Sequence, residues 1–106
     1  MKQEVTEILA ELRRELQSLY GERLEHIVLF GSQARGDAEP DSDIDVLVVL
    51  KGGVEPGVEI DRTSHFVAGL SLANNVVVSC VFISSQRYAA ERSPLLLNVR
   101  REGLAI

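Results

Sequence analysis

The sequence predicts a small mixed α/β fold, in which helices pack on one β-sheet. Apolar residues recur at steps of three and four near the start of the chain, and three short β-branched runs follow with room for helices around them. The chain has 106 residues, of which 45% are hydrophobic, and a chain of this length can bury a core. We therefore expect residues 1–106 to form a single domain.

The chain begins with a predicted helix and a predicted strand. Apolar side chains at helical spacing predict a helix over residues 5–20, and Gly21 is expected to end it because glycine is common just past a helix end. Residues 25–30 form a short β-branched run that ends at Gly31, which is typical of a strand.

A short turn and a second strand are predicted next. Ser32 is expected to cap a helical turn over residues 33–35, and a loop over residues 37–41 follows. Residues 43–50 form a run that is apolar on both faces beyond its first two aspartates. Such a strand needs cover on both sides, so we expect it to lie in the centre of the sheet.

The second half of the chain alternates again between helix and strand. The predicted elements are a helix over residues 58–73, a strand over 76–83, a short helix capped by Ser84 or Ser85, and a helix that starts at Ser93 and stops at Gly103. Helices that separate strands in this way support the mixed α/β prediction.

Composition excludes several classes of protein. Cys80 is the single cysteine, so neither an intrachain disulfide framework nor a cysteine-rich zinc module is possible. No apolar run reaches the ~18 residues that span a membrane, and the start of the chain does not resemble a signal peptide, so we expect a cytoplasmic protein with no membrane partner. A net charge of −5 and 5% aromatic residues disfavour direct binding of nucleic acid.

Two features of the sequence indicate phosphate chemistry. Gly31 and Ser32 end a strand and open a helical turn, where backbone N–H groups and the serine hydroxyl can donate to a phosphate, although such a pair is usually only a turn. Asp43 and Asp45 stand at positions i and i+2 of a strand, so their carboxylates share a face and can chelate Mg²⁺. Exposure at the start of the strand is the alternative explanation for these two aspartates. The short separation of the two features predicts that they meet in the fold.

Together these features resemble the motif of the DNA polymerase beta-type nucleotidyltransferase superfamily, which is Gly-Ser, about ten residues, and then Asp-x-Asp. The motif is carried here by Leu-Phe-Gly-Ser-Gln-Ala-Arg-Gly at residues 29–36 and Ser-Asp-Ile-Asp-Val-Leu-Val-Val at residues 42–49. The chain is most similar to the minimal nucleotidyltransferases of bacteria and archaea. This resemblance covers essentially the whole chain and implies the fold of that superfamily.

The resemblance also implies a site and a reaction. Gly31 and Ser32 would hold the phosphates of ATP or another nucleoside triphosphate. Asp43 and Asp45 would be the catalytic residues that hold Mg²⁺, while an acceptor hydroxyl attacks the α-phosphorus and pyrophosphate leaves. Arg35 would approach the phosphates, and a role as a solvated turn residue is an equal alternative for it.

One position departs from the pattern of the superfamily. Active members usually carry a third carboxylate on the strand after the long helix, but no Asp or Glu occurs between Arg62 and Ala90. Ser79 is expected at that position, and loss of a general base typically costs about 10²–10⁴ in rate. Helical patterning gives no reason to expect Glu59 or Asp61 to compensate. The sequence therefore leaves open whether catalysis survives.

Two functional hypotheses follow from the resemblance. Minimal nucleotidyltransferases are commonly paired with small helical proteins of the HEPN type, and in characterised pairs they act as antitoxins that adenylylate the helical toxin. The first hypothesis is a Mg²⁺-dependent nucleotidyltransferase that transfers AMP from ATP to a hydroxyl of such a partner. The alternative is a catalytically impaired module that binds and neutralises or scaffolds a helical partner without transfer. A second copy of the chain is also left open as a partner.

Overall fold

The computed structural model describes residues 2–39 and 42–106, and it contains a four-stranded mixed sheet with helices on both faces. The elements are, in chain order, α1 (Gln3–Tyr20), β1 (Leu24–Phe30), α2 (Ser32–Arg35), β2 (Ile44–Leu50), α3 (Pro56–Asn74), β3 (Val78–Ser84), α4 (Ser85–Ala90), α5 (Pro94–Glu102) and β4 (Leu104–Ala105). None of the helices in this described part is long and apolar enough to cross a membrane. The predicted mixed α/β fold is confirmed.

The strands lie in the order β3-β2-β1-β4. β1 pairs antiparallel with β2 and with β4, whereas β2 and β3 run parallel because α3 connects them as a crossover. The central position predicted for β2 is therefore confirmed. The carboxyl end of β1 and the amino end of β2 lie side by side at the same end of the sheet.

Both faces of β2 are covered, as its two apolar faces predicted. Val46 and Val48 are fully buried in a core that α1 and α3 complete on one side of the sheet. Leu47 and Val49 are fully buried on the other side, where they pack with residues of α5 such as Leu96. The sheet thus lies between two helical layers, and polar side chains can reach solvent at the ends of its strands.

Several local predictions need correction or addition. Gly31 rather than Ser32 is the N-cap residue of α2, and no side chain caps this turn. By contrast, the Ser84 and Ser93 hydroxyls accept hydrogen bonds from backbone N–H groups at the starts of α4 and α5, as predicted. β4 was not predicted, because two residues carry no periodic signal. Met1, Pro40 and Asp41 lie outside the described residues, so only residues 37–39 of the predicted loop are described.

A buried polar pair joins α1 to α3. The Tyr20 hydroxyl donates a 2.6 Å hydrogen bond to Glu59 Oε1, and Glu59 is only 4% exposed. Arg62 Nη1 lies 3.5 Å from the same oxygen. Burial and the hydrogen bond to Glu59 raise the pKa of Tyr20. Glu59 therefore serves the packing of two helices and has its partners within them.

We expect the Tyr20→Phe variant to be less stable than the wild type by about 1–3 kcal/mol, because the Glu59 carboxylate would stay buried without its hydroxyl donor. Glu59→Gln is the matched control, since an amide oxygen still accepts from Tyr20 and the buried charge disappears. Chemical denaturation of both variants measures the two free energies of unfolding. Equal stability of Tyr20→Phe and wild type would show that the pair contributes nothing to the fold.

Candidate functional site

The structure places the two predicted motifs together at the end of the sheet where β1 ends and β2 begins. Phe30 is the antiparallel partner of Asp45, so Gly31 follows beside the Asp45 side chain. A Cβ atom added to Gly31 would lie 2.6 Å from Asp45 Oδ2. The Gly31 backbone is therefore in direct contact with the carboxylate, and only a residue without a side chain allows this approach.

The conformation of Gly31 turns the chain from β1 into α2. Its φ is 77° and its ψ is −158°, a combination that is essentially restricted to glycine. The carbonyl oxygen of Gly31 then accepts hydrogen bonds from the N–H groups of Ala34 and Arg35. These bonds hold the four-residue helix α2 against the sheet edge, with Arg35 at its last position.

The two aspartates occupy different environments. Asp43 precedes β2 and is exposed, whereas Asp45 lies within β2 and is partly buried. Desolvation and the charge of Asp43 raise the pKa of Asp45, and the charge of Arg35 acts in the opposite direction. The two carboxylates are thus close enough to repel each other, which is the arrangement that a divalent cation relieves.

Ser79 lies directly beside Asp45 on the neighbouring strand. The parallel register of β2 and β3 pairs these two residues, so their side chains point to the same face of the sheet. Glu59 and Asp61 of α3 do not supply the missing carboxylate beside Asp45. Glu59 accepts a hydrogen bond from Tyr20, and Asp61 is exposed on its helix. Among the described residues, no three Asp, Glu, His or Cys side chains form a cluster that could hold a metal ion.

Sequence reasoning missed one residue of the site, Glu102 at the end of α5. Its Oε1 accepts a 3.3 Å hydrogen bond from the Gly31 N–H, and both of its oxygens lie 3.2 Å from Arg35 Nη1. Arg35 also donates from Nε to Asp37 Oδ2 at 3.2 Å. Hydrogen bonds to Asp37 and Glu102 raise the pKa of the guanidinium, which remains charged. No local signal links Glu102 to Gly31, because they are 71 positions apart.

A mixed sheet with a Gly-Ser turn packed on an Asp-x-Asp strand is the architecture of nucleotidyltransferase domains. The family described as "Nucleotidyltransferase domain" matches residues 9–93, and the chain belongs to this family. The resemblance seen in the sequence is thereby confirmed.

The chain is also similar to a known relative and to two solved structures. Over 48 residues, the chain is 40% identical to a proposed protein adenylyltransferase of Methanocaldococcus jannaschii, and this match covers 45% of the chain and 48% of that protein. The matched region thus spans about half the length of this relative.

The two structures share the fold of this chain. The crystal structure of a toxin-antitoxin with AMP-PNP is 21% identical with a TM-score of 0.65, over 98% of this chain and 72% of that one. A structure of a tri-AMPylated Shewanella oneidensis HEPN toxin in complex with an MNT antitoxin is 20% identical with a TM-score of 0.54, over 96% of this chain and 67% of that one.

Proposed function

We propose that this protein is a Mg²⁺-dependent nucleotidyltransferase that transfers AMP from ATP to a hydroxyl group of a partner protein. The observation that best supports the proposal is the contact of the Gly31 backbone with Asp45 Oδ2, because it joins the phosphate-binding motif to the carboxylates. The M. jannaschii relative named as a protein adenylyltransferase and the structures with AMP-PNP and an AMPylated toxin support adenylate as the transferred group.

The carboxylates fit a magnesium ion in their chemistry. Mg²⁺ takes oxygen ligands and usually combines one or two carboxylates with substrate phosphates and water. Asp43 and Asp45 provide two carboxylates as oxygen donors, and desolvation together with the charge of Asp43 raises the pKa of Asp45. Bound by these residues, Mg²⁺ would neutralise charge on the triphosphate and act as a Lewis acid.

The residues around the carboxylates have separate roles in the proposed transfer. The Ser32 hydroxyl and the backbone of Gly31 bind the phosphates, and Arg35 adds a positive charge beside them. The acceptor oxygen forms a bond to the α-phosphorus while the bond from this phosphorus to the bridging oxygen breaks, and pyrophosphate leaves with the electron pair. Because Ser79 stands beside Asp45 where a carboxylate would act as a base, the hydroxyl proton passes to water. We therefore expect slow transfer.

The proposed partner is a small helical protein of the HEPN type. The AMPylated HEPN toxin in complex with an MNT antitoxin supports this choice, since the antitoxin in that complex belongs to the same class of fold. A hydroxyl of such a partner, on a tyrosine or another residue, would be the acceptor.

Transfer of label from ATP tests the proposal. The protein is incubated with Mg²⁺, a small helical protein of the HEPN type, and ATP labelled either at the α- or at the γ-phosphate. We expect label in the partner only from α-labelled ATP and only with Mg²⁺, together with a mass increase of one adenylate. Label from γ-labelled ATP would identify a kinase instead, and absence of label from both would contradict transfer.

The position of Ser79 favours a second candidate function. Ser79 pairs with Asp45 at the position where the resemblance to the superfamily predicts a carboxylate, so in this candidate function the domain binds its helical partner without transferring AMP. A stable complex with the partner, formed without ATP and without any label transfer, would support this alternative over the first proposal.

A further inference from the structure

We propose that Glu102 occupies the phosphate position of the nucleotide-free protein, and that ATP binds by displacing the Glu102 carboxylate from the Gly31 N–H and from Arg35. This inference rests on the proposed function, because it assumes that the site binds a nucleoside triphosphate. It assigns Glu102 as the residue that sets the affinity for the nucleotide.

The contacts of Glu102 are those of a bound anion. One carboxylate oxygen accepts from the Gly31 N–H at 3.3 Å, and the Arg35 guanidinium lies 3.2 Å from both oxygens. A backbone N–H and a guanidinium are also the donors that recognise phosphate oxygens in proteins. The Glu102 side chain is only 16% exposed, whereas the Arg35 side chain is 46% exposed, so the carboxylate is largely buried at a site whose guanidinium stays accessible to solvent.

Pairing of β4 with β1 places Glu102 at this position. Leu29 pairs with Leu104 and Val28 with Ala105, and continuation of the same antiparallel register brings Glu102 opposite Gly31. The pairing of β4 with β1 therefore places the Glu102 carboxylate beside Gly31, and the ion pair with Arg35 is a consequence of this register.

The linking residue Gly103 makes this pairing possible. A Cβ atom on Gly103 would overlap the Val99 carbonyl oxygen and would lie 2.6 Å from Val28 Cγ1. The chain can thus pass from α5 directly into β4 while it remains close to β1. A rotation of the Glu102 side chain is then sufficient to free the two donors, since the backbone of α5 and β4 can stay in place.

Electrostatics makes the carboxylate a competitor of the phosphate. Two anions at the same N–H group repel each other strongly when water is partly excluded. Phosphate can bind these donors only after Glu102 has moved away, and this displacement lowers the apparent affinity for the nucleotide. Removal of the charge should therefore strengthen binding, which is the opposite of what mutation of a phosphate-binding residue does.

Titration calorimetry with Mg²⁺-ATP tests the inference on wild type and Glu102→Gln. The glutamine keeps an oxygen acceptor for the Gly31 N–H but has no charge, so we expect the Kd to fall about tenfold, or ~1.4 kcal/mol. Glu11→Gln is the matched control, because it removes one negative charge from an exposed ion pair on α1. Its Kd is expected to stay within about twofold of wild type, since exposed charges are screened by salt.

A second variant tests the inference if Glu102→Gln does not fold. Glu102→Asp keeps the charge but withdraws it from Gly31 by one methylene group, and we expect its Kd to lie between those of wild type and the glutamine variant. The Gly31 amide resonance in an ¹⁵N spectrum gives an independent readout, since it should shift on Glu102 substitution and again when ATP is added.

The outcomes separate this inference from the proposed function. Tighter binding by the Glu102 variants, including binding by them where wild type shows none, supports both. Binding by wild type that is unchanged or weakened in the variants overturns the role of Glu102 and leaves the proposed function intact. No binding by wild type or by any folded variant overturns both.

Discussion

Replacement of both Asp43 and Asp45 by asparagine is expected to abolish Mg²⁺-dependent ATP binding and to lower adenylate transfer by about 10²–10⁴. Asparagine keeps the shape of each side chain but lacks the charge that holds a divalent cation, and a bound metal is worth several kcal/mol of transition-state stabilisation. Calorimetric titration with ATP, with and without Mg²⁺, measures the first effect, and label transfer to the partner measures the second.

The same substitutions are expected to make the protein more stable at pH 7. Desolvation and Asp43 raise the pKa of Asp45 in the folded state, so the folded protein binds the proton more tightly than the unfolded chain does. Ionised Asp45 therefore destabilises the fold, and this cost is absent below the ordinary aspartate pKa of about 3.9. The double variant should melt at a higher temperature than wild type at pH 7, and the difference should vanish near pH 3.5.

A matched control distinguishes the site from a general effect of charge. Asp61→Asn removes one carboxylate from the exposed surface of α3 and should leave both Mg²⁺-ATP binding and the melting temperature nearly unchanged. In wild type, Mg²⁺-ATP should raise the melting temperature, whereas it should have no effect on the double variant. Wild-type affinity in the double variant, or a lower melting temperature at pH 7, would contradict the assignment of these carboxylates.

Substitution of Gly31 by alanine is expected to impair both the fold and the site. The backbone of Gly31 has φ 77° and ψ −158°, where a side chain costs about 1–3 kcal/mol. The new Cβ would also lie 2.6 Å from Asp45 Oδ2, so the carboxylate would have to move. We expect a loss of stability of that size and a decrease in Mg²⁺-ATP affinity of at least about tenfold.

Gly21→Ala separates the two effects of the Gly31 substitution. Gly21 also has a positive φ, at 54°, but a Cβ there would have no atom within 4 Å, and the residue lies at the end of α1. We expect this variant to lose stability and to retain nucleotide binding once it is folded. Thermal unfolding and calorimetry on both variants provide the comparison. If Gly31→Ala binds Mg²⁺-ATP as wild type does, the close contact with Asp45 is not needed.

The sequence predicted the main elements because their signals are local. Helical spacing of apolar residues predicted α1, and the two apolar faces of β2 predicted its central place between helical layers. Ser32 was wrongly predicted as a cap, since serine is favoured at that position in general but Gly31 takes it here. The preference of a residue type is a weak guide where one glycine sets the backbone.

The sequence by itself thus determined the class of fold, the family and the two motifs, because each motif is a short segment whose spacing is visible in the chain. Only the tertiary structure decided how the site is completed. In the folded protein, Glu59 is hydrogen-bonded to Tyr20. Glu102 is hydrogen-bonded to Gly31 because β4, a two-residue strand without a recognisable sequence pattern, pairs with β1. The physical reason is that such contacts join residues far apart in the chain, and they exist only when strand pairing and helix packing have fixed the register.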